Sequence, residues 1–282
     1  TGPVVLPDIE LVEGHVGGQA IIDSFVAEWG SHAGVLGYLM QEEKGETHLA
    51  AISSQYDNLK AAPYAANKPV LGIQAEMQAL VRFAPYSDVV GIDNYVVWFG
   101  HKVGPSPSPY LHQMGSNTAA LFGDVQSSRS LMIAPESRSF SEQTPGAAPP
   151  TYAEMMNLAF QALINGARGL LYFSYTGTGA TADGEAQLAL LDTLGGKIGG
   201  VVEPFALGVD LADAAQTTCN NADIQLLTRT VADGATQIMV ANPTDASIAG
   251  SFTLGTGISG TSVSVLTDVP VGSINLTAGV FF

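Results

Sequence analysis

The sequence is poor in basic residues and in cysteine, and both shortages exclude classes of protein. It has 10 Lys and Arg against 26 Asp and Glu, which gives a formal net charge of -16. This balance argues against binding to nucleic acid or to an anionic membrane surface, because both require clustered basic side chains. Cys219 is the single cysteine, so an intrachain disulfide is impossible. The sequence also has no run of about 18 apolar residues, so we expect no membrane span.

What the chain has instead is apolar and small residues. Apolar residues make up 46% of the sequence, which is ample for a folded core, while only 13% of residues are charged. This lean, acidic composition favours an extracellular or secreted location. The five histidines are scattered without the spacing of metal ligands, so we expect no metal site. The Gly-rich segment 176–179 lacks the lysine of a P-loop and the full dinucleotide fingerprint, so we expect no cofactor.

Short apolar runs alternate with helical patterns through about residue 205. We predict strands at 35–40, 69–73, 88–93, 131–134 and 169–173, with 4–6 as a further candidate. We predict helices over 18–30, 47–60 and 184–200, and another that begins at Thr151, where Thr151 and Glu154 have the spacing of a capping box. Near-continuous apolar strands alternating with helices are typical of βαβ units and a parallel sheet.

After residue 205 the pattern changes to short strands separated by turn residues. Strands are predicted at 224–228, 236–240, 251–254 and 262–266, and this spacing is typical of a small antiparallel sandwich. The sequence therefore predicts two domains, an α/β domain over 1–205 and a β-sandwich over 206–282. Residues 96–118 are predicted to form a long loop, which contains Trp98.

Polar side chains follow several of the predicted parallel strands, at the end of the sheet where ligands bind in such folds. Glu42 and Glu43 follow the strand at 35–40, and Glu136 follows the strand at 131–134. Two carboxylates on one rim suit glycoside hydrolysis, in which one is protonated and the other is ionised. The alternative is that such carboxylates only cap helices or bind backbone amides of the rim. Other candidates at strand ends, for substrate binding, are Asn94, Tyr95, Trp98 and Tyr175.

Three of these stretches resemble a known family. The run 37–43 (GYLMQEE) resembles the fourth strand of (β/α)8 glycoside hydrolases of the retaining superfamily with two glutamates. The run 88–95 is similar to a strand of bacterial galactosidase-like proteins, and 150–159 with 166–170 resembles their last helix and strand. The resemblance implies a carbohydrate substrate, with Glu43 as acid/base and Glu136 as nucleophile.

The chain departs from this family in two ways. Glu42 stands where the superfamily usually has Asn, and an ionised Glu accepts hydrogen bonds but does not donate one to a sugar hydroxyl. A full barrel takes about 250 residues, whereas here only one candidate strand precedes the strand at 35–40. We therefore expect a truncated TIM barrel with strands three to eight, completed by a missing segment of a longer polypeptide or by another chain.

Two functions follow from the sequence. The first is a retaining glycoside hydrolase that acts on an oligo- or polysaccharide, with Tyr95 or Tyr175 positioning the nucleophile and Trp98 stacking on the sugar. The second is a non-catalytic structural or carbohydrate-binding component of a larger extracellular or viral assembly. A third class, a sugar-phosphate isomerase or lyase on the same fold, lacks the phosphate-binding groups.

Overall fold

A computed structural model of the protein describes residues 18–33, 35–43, 45–62, 66–101, 108–125, 129–137, 148–173, 182–198, 203–212, 216–244, 246–258, 276–277 and 280–281. Its helices are α1 (Gly18–Trp29), α2 (Leu49–Ala61), α3 (Met77–Phe83), α4 (Val96–His101), α5 (His112–Val125), α6 (Tyr152–Ile164), α7 (Ala182–Lys197) and α8 (Glu203–Ala206). Short 3-10 helices cover Glu46–His48 and Ala84–Tyr86.

The strands fall into a parallel group followed by antiparallel groups. The parallel group is β1 (Tyr38–Glu42), β2 (Val70–Gln74), β3 (Val89–Asn94), β4 (Ser130–Pro135) and β5 (Gly169–Leu170). The later strands are β6 (Val209–Asp210), β7 (Thr218–Cys219), β8 (Gln225–Thr230), β9 (Thr236–Ala241), β10 (Phe252–Thr253), β11 (Leu276–Thr277) and β12 (Val280–Phe281).

The five parallel strands follow one another in the sheet in the same order as in the chain. Tyr38 lies opposite Val70, and Leu71 lies opposite Val89, so no strand is skipped between β1 and β3. Right-handed crossovers between neighbouring strands taken in one direction place their helices on the same face of the sheet. This is the winding of a (β/α)8 barrel rather than of a doubly wound sheet, whose strand order reverses. The fold is thus a partial TIM barrel with additional antiparallel sheets.

Tertiary contacts divide the chain into two compact units, residues 1–93 with 120–134 and residues 94–119 with 135–282. In the first unit, the core joins helices α1, α2 and α3 to strands β1 and β2. Its buried members are Val26, Val35, Tyr38, Met40, Ile52, Leu59, Val70 and Phe83. Burial of side chains of this size contributes roughly 1.5–3 kcal/mol each, so this cluster holds the helices on the sheet.

The first unit also contains a polar cluster around Asp88, immediately before β3. Its Oδ1 accepts a hydrogen bond from the Tyr56 hydroxyl at 2.8 Å. Its Oδ2 accepts from Lys60 Nζ at 3.0 Å and from the Val70 backbone N–H at 2.9 Å. Burial opposes ionisation of Asp88, but these hydrogen bonds and the Lys60 charge hold its pKa below the usual range. The cluster ties α2 to the amino ends of β2 and β3.

In the second unit, α6 packs against the antiparallel strands through apolar side chains. One cluster contains Leu163, Phe205 and Met239, with Leu227 and Phe160 packed against it. Strands β6, β8 and β9 form a three-stranded sheet, and β11, β12, β10 and β7 form a four-stranded one. The antiparallel character predicted for the C-terminal region is therefore confirmed.

A network of side-chain amides also joins α6 to this region. Gln161 is completely buried; its Nε2 donates to Asn157 Oδ1 at 2.6 Å and to Leu111 O at 3.0 Å. Asn165 Nδ2 donates to Gln225 Oε1 at 2.7 Å, which connects the end of α6 to β8. Because buried amides are costly without partners, this network fixes the register of α6 against the hairpin.

Most predicted helices and strands form close to their predicted positions. The capping box is present, since Thr151 Oγ1 accepts from the Glu154 N–H while the Glu154 carboxylate accepts from the Thr151 N–H. The predicted long loop over 96–118 is wrong, because α4 and the first half of α5 lie within it. Helix α3 was not predicted, since seven residues give too short a periodic pattern.

The described helices and strands do not test every prediction made from the sequence. The candidate strands at 4–6 and 262–266 lie outside the described residues. The predicted domain boundary between residues 205 and 206 stays a prediction, as does completion of the barrel by a further segment or chain.

Candidate functional site

Glu136 lies directly after β4, at the carboxyl end of the parallel sheet. Its side chain is completely buried. Its Oε1 accepts hydrogen bonds from the backbone N–H groups of Val97 at 2.5 Å and Trp98 at 2.8 Å. Within the described part of the chain, its Oε2 has no hydrogen-bond partner. One oxygen is thus held by the backbone, and the other is left for a reactant or a proton.

This environment changes the ionisation of Glu136. Burial raises its pKa to about 7, although the amide donors favour the charged form and lower it in part. The negative charge of Glu154 contributes a further rise. A carboxyl group whose pKa lies near 7 is a candidate for chemistry, because its charge is set by the surroundings and changes near neutral pH.

The two amides that hold Glu136 belong to the first turn of α4, and this helix packs very closely on Ser108. The Ser108 hydroxyl donates to Val96 O at 2.9 Å, and Ser108 is completely buried. A Cβ atom on Gly100 would lie 1.7 Å from Ser108 Oγ and 2.5 Å from Ser108 Cβ. Residue 100 must therefore be glycine for α4 to reach this position.

Glu154, on α6, is the second buried carboxylate of this region. Its Oε1 accepts from the Ser108 N–H at 2.9 Å. Its Oε2 accepts from the N–H of Thr151 at 2.8 Å and from its hydroxyl at 2.9 Å. Unlike Glu136, Glu154 thus has hydrogen bonds to both of its oxygens, and it connects the start of α6 to the segment that supports α4.

Two of the predicted substrate-binding residues are connected to Glu136, Trp98 through its backbone and Tyr95 through Phe173. The half-buried Tyr95 stacks on Phe173, with ring centroids 5.5 Å apart and an interplanar angle of 27°. Phe173 forms a parallel bridge with Glu136, and its carbonyl accepts from the Ser137 N–H at 2.6 Å. Trp98 contributes its backbone N–H to Glu136, while its side chain is half-buried.

The side chain of Asn94, another predicted substrate-binding residue, contacts residues of its own unit. It is 7% exposed, its Nδ2 lies 3.5 Å from the Met114 sulfur, and its Oδ1 accepts from Asn117 Nδ2 at 3.4 Å. These contacts attach the end of β3 to α5. Its predicted role in substrate binding stays a prediction.

The first unit contains the other predicted carboxylates, at the end of β1. Glu42 is the last residue of that strand and lies opposite Ile73 in the register, after a bulge between Leu39 and Gln41. Glu43 is exposed, and its N–H donates to Ile73 O at 2.9 Å. Its φ is 49°, a left-handed conformation that residues other than Gly, Asn and Asp rarely adopt. Such strain occurs often at functional positions.

Several polar residues of these regions were not predicted from the sequence. Ser137 is completely buried, and its hydroxyl has no partner within the described part of the chain. Burial raises the pKa of Tyr172, and the Glu136 charge raises it further, while the Tyr172 hydroxyl donates to Met155 O at 3.1 Å. In the first unit, Gln74 and Asp93 are buried at the carboxyl ends of β2 and β3. Gln74 comes directly after the apolar run at 69–73, and this position was the signal that could have identified it.

The remaining sequence predictions concern Tyr175, metal ions and membranes. Tyr175 lies outside the described residues. In the described ranges, no three His, Cys, Asp or Glu side chains are grouped so as to hold a metal ion. The helices found there are all too short or too polar to cross a membrane.

Comparison with known proteins gives similarity only at the level of structure. No family model matches the sequence. A search of curated proteins likewise finds no match. Among solved structures, Lactobacillus rhamnosus β-glucuronidase aligns with a TM-score of 0.44 and 9% identity, over 56% of this chain and 28% of that one.

Two β-galactosidases align to a similar extent. The enzyme from Rahnella sp. R3 has a TM-score of 0.46 and 12% identity, over 69% of this chain and 40% of that one. The enzyme from Marinomonas ef1 has a TM-score of 0.43 and 12% identity, over 68% and 44%. The chain therefore spans less than half the length of each of these three proteins. The likeness concerns the fold of part of the chain.

Proposed function

We propose that this protein is a glycoside hydrolase that cleaves an oligo- or polysaccharide with retention of configuration at the anomeric carbon. The observation that carries the proposal is the state of Glu136. It lies at the carboxyl end of a barrel strand, one carboxyl oxygen is fixed by two backbone amides, and the other has no partner among the described residues. A nucleophile needs this combination of a fixed orientation and one available oxygen.

In the first step, Glu136 Oε2 attacks the anomeric carbon, and the bond from that carbon to the leaving oxygen breaks. Glu43 gives its proton to the leaving oxygen, so the departing sugar leaves as a neutral alcohol. In the second step, Glu43 takes a proton from water, and the water oxygen displaces Glu136 from the anomeric carbon. Both carboxyl groups then have the protonation states with which they began.

Supporting roles follow from the residues around Glu136. Tyr95, stacked on Phe173, presents an aromatic side chain next to the strand end, and the half-buried Trp98 is the proposed stacking surface for a sugar ring. Asn94, Glu42 and Tyr175 are proposed as further substrate contacts. Since nucleophilic attack requires the ionised form of Glu136, the rate is expected to rise as the pH rises through about 7.

The test is hydrolysis of a panel of aryl glycosides by the protein and by Glu136→Gln. We expect the substitution to lower kcat by about a thousandfold or more, because the amide is not a nucleophile. Glu185→Gln, which changes an exposed carboxylate on α7, is the matched control and should leave kcat unchanged. Activity that survives Glu136→Gln would remove Glu136 from the mechanism.

A second candidate function is a non-catalytic, carbohydrate-binding or structural component of a larger assembly. The observation that favours it is the complete burial of Glu136, whose contacts with Val97 and Trp98 are those of a carboxylate that only holds a neighbouring turn. Under this function the protein cleaves no glycoside in the panel, and Glu136→Gln changes its stability but not its binding of sugars. Isothermal titration with oligosaccharides measures that binding directly.

A further inference from the structure

A chain of hydrogen bonds in the second unit leads from one buried carboxylate, Glu154, to the other, Glu136. We propose that Ser108 and Glu154 are positioning residues, which hold the first turn of α4 so that Oε1 of Glu136 stays bound to the backbone and Oε2 faces the reacting carbon. This inference rests on the proposed function, since it assigns supporting residues to the same nucleophile.

The first link is the contact between Glu136 and α4. Two amides, from Val97 and Trp98, converge on one carboxyl oxygen at 2.5 and 2.8 Å, so the orientation of Glu136 depends on the position of this turn. Helix α4 has only six residues. A helix this short is not stable by itself and must be held by tertiary contacts.

The second link is Ser108, which supplies such a contact. Its hydroxyl donates to the carbonyl of Val96, the residue directly before the two amides, at 2.9 Å. The same oxygen accepts from the Tyr110 N–H at 3.2 Å. The close approach at Gly100 places Ser108 against the other end of α4 as well. Ser108 therefore determines where α4 lies.

The third link is Glu154, which holds Ser108. Its Oε1 accepts the Ser108 N–H at 2.9 Å, and its Oε2 is tied to Thr151 at the start of α6. The capping box alone would use only one oxygen of Glu154. Use of the second oxygen for a residue 46 positions away in the chain connects the rigid helix α6 to the support of α4.

Glu154 also acts on Glu136 through its charge, which disfavours a second negative charge on Glu136. The two proposed residues therefore affect the ionisation of Glu136 in opposite directions. Removing the Glu154 charge should lower the pKa of Glu136. Removing the Ser108 hydroxyl should release the amides that stabilise the charged form, and so should raise it.

The test is the pKa of Glu136, measured by NMR titration of protein labelled with ¹³C at the glutamate carboxyl groups. The Glu136 signal is assigned by its loss in Glu136→Gln. We expect Glu154→Gln to move the titration to lower pH, Ser108→Ala to move it to higher pH, and the control Glu185→Gln to leave it in place. This readout does not require activity, so it separates failure of this inference from failure of the proposed function.

A purely structural role predicts a different pattern. General loosening would admit water to Glu136, relieve its burial and lower its pKa in both variants, and that result would overturn the proposal. An unchanged pKa in both variants would overturn it too. If Ser108→Ala does not fold, Ser108→Cys takes its place, because a thiol donates a weaker hydrogen bond to the Val96 carbonyl and should also raise the pKa of Glu136. In an active protein we further expect Ser108→Ala to reduce kcat by at least about tenfold with KM little changed, as misplacement of a nucleophile does.

Discussion

Asp88 and Glu136 lie at opposite ends of parallel strands and show two uses of a carboxylate in one fold. Asp88, at the amino end of β3, has hydrogen bonds from a hydroxyl, an ammonium group and a backbone amide, and its pKa is lowered. Glu136, at the carboxyl end of β4, has two bonds to one oxygen and, within the described residues, none to the other, and its pKa is raised.

The difference teaches how to separate stabilising from functional carboxylates in such a sheet. Full hydrogen bonding lowers the free energy of the charged state, so Asp88 stabilises the fold when it is ionised. Burial with incomplete hydrogen bonding raises the free energy of the charged state of Glu136, and it leaves one carboxyl oxygen available. In barrel folds the amino ends of the strands contribute to stability, whereas the carboxyl ends form the active site.

The largest expected effect comes from Gly100→Ala, which disturbs the packing of α4 and therefore the amides that hold Glu136. The new methyl group would meet both side-chain atoms of Ser108, so α4 must move or Ser108 must be displaced. We expect the free energy of unfolding to fall by about 3 kcal/mol or more, as measured by urea denaturation. Gly123→Ala in α5 is the matched control: nothing lies within 4 Å of its added Cβ, so it should be neutral or slightly stabilising.

The next effect is the pH dependence of stability that Glu136 causes. Its pKa in the folded state is about 7 against 4.5 for a free side chain, so the folded protein binds the proton more tightly. The resulting stability is fully present below the unfolded pKa and is lost as the pH rises through about 7, an effect of about 3 kcal/mol at roughly 1.4 kcal/mol per unit. Glu136→Gln should flatten this slope in urea titrations at several pH values. An unchanged slope would show that Glu136 does not titrate in this range.

Asp88→Asn should be less costly and should act in the opposite pH direction. The folded pKa of Asp88 is lowered, so its contribution is present above the unfolded pKa and is lost as the pH falls through the folded pKa. With side chains of Asp88 and Lys60 about 30% exposed, we expect a loss of about 2 kcal/mol at neutral pH. Glu46→Gln, which removes the exposed ion pair with Arg82, should change stability by less than about 0.5 kcal/mol.

The smallest effect concerns the strained conformation of Glu43. Asn tolerates a positive φ better than Glu does, so Glu43→Asn should raise the free energy of unfolding by about 0.5 kcal/mol while it removes the proposed acid/base. Thermal denaturation together with aryl glycoside hydrolysis measures both. A destabilised variant would mean that Glu43 makes contacts that outweigh its strain.

The sequence patterns predicted the strand ends well, but they did not predict the long-range contacts that support α4 and Glu136. The apolar run predicted as a strand over 131–134 placed Glu136 correctly at a strand end, because a parallel strand buried on both faces leaves a clear pattern. The capping box correctly predicted the bond between Glu154 and Thr151, which are only three residues apart. It could not predict the bond between Glu154 and Ser108, because no local pattern records a contact between residues 46 positions apart.

Helix α4 was missed for a related reason. Its residues Val96, Val97 and Trp98 have modest helix propensity, and a Pro-rich segment follows them, so local preference favours a loop. Tertiary contacts determine the outcome, since the amides of its first turn are bound by Glu136 and its last turn packs on Ser108.

The buried amide network of α6 has a consequence for how the chain is made. Gln161 and Asn165 obtain partners from Gln225, about 60 positions later in the chain. During synthesis from the N-terminus, α6 is therefore produced well before the strand that completes its hydrogen bonds. We expect the helix to stay exposed until β8 and β9 have left the ribosome, so this interval is when a nascent chain would most need a chaperone.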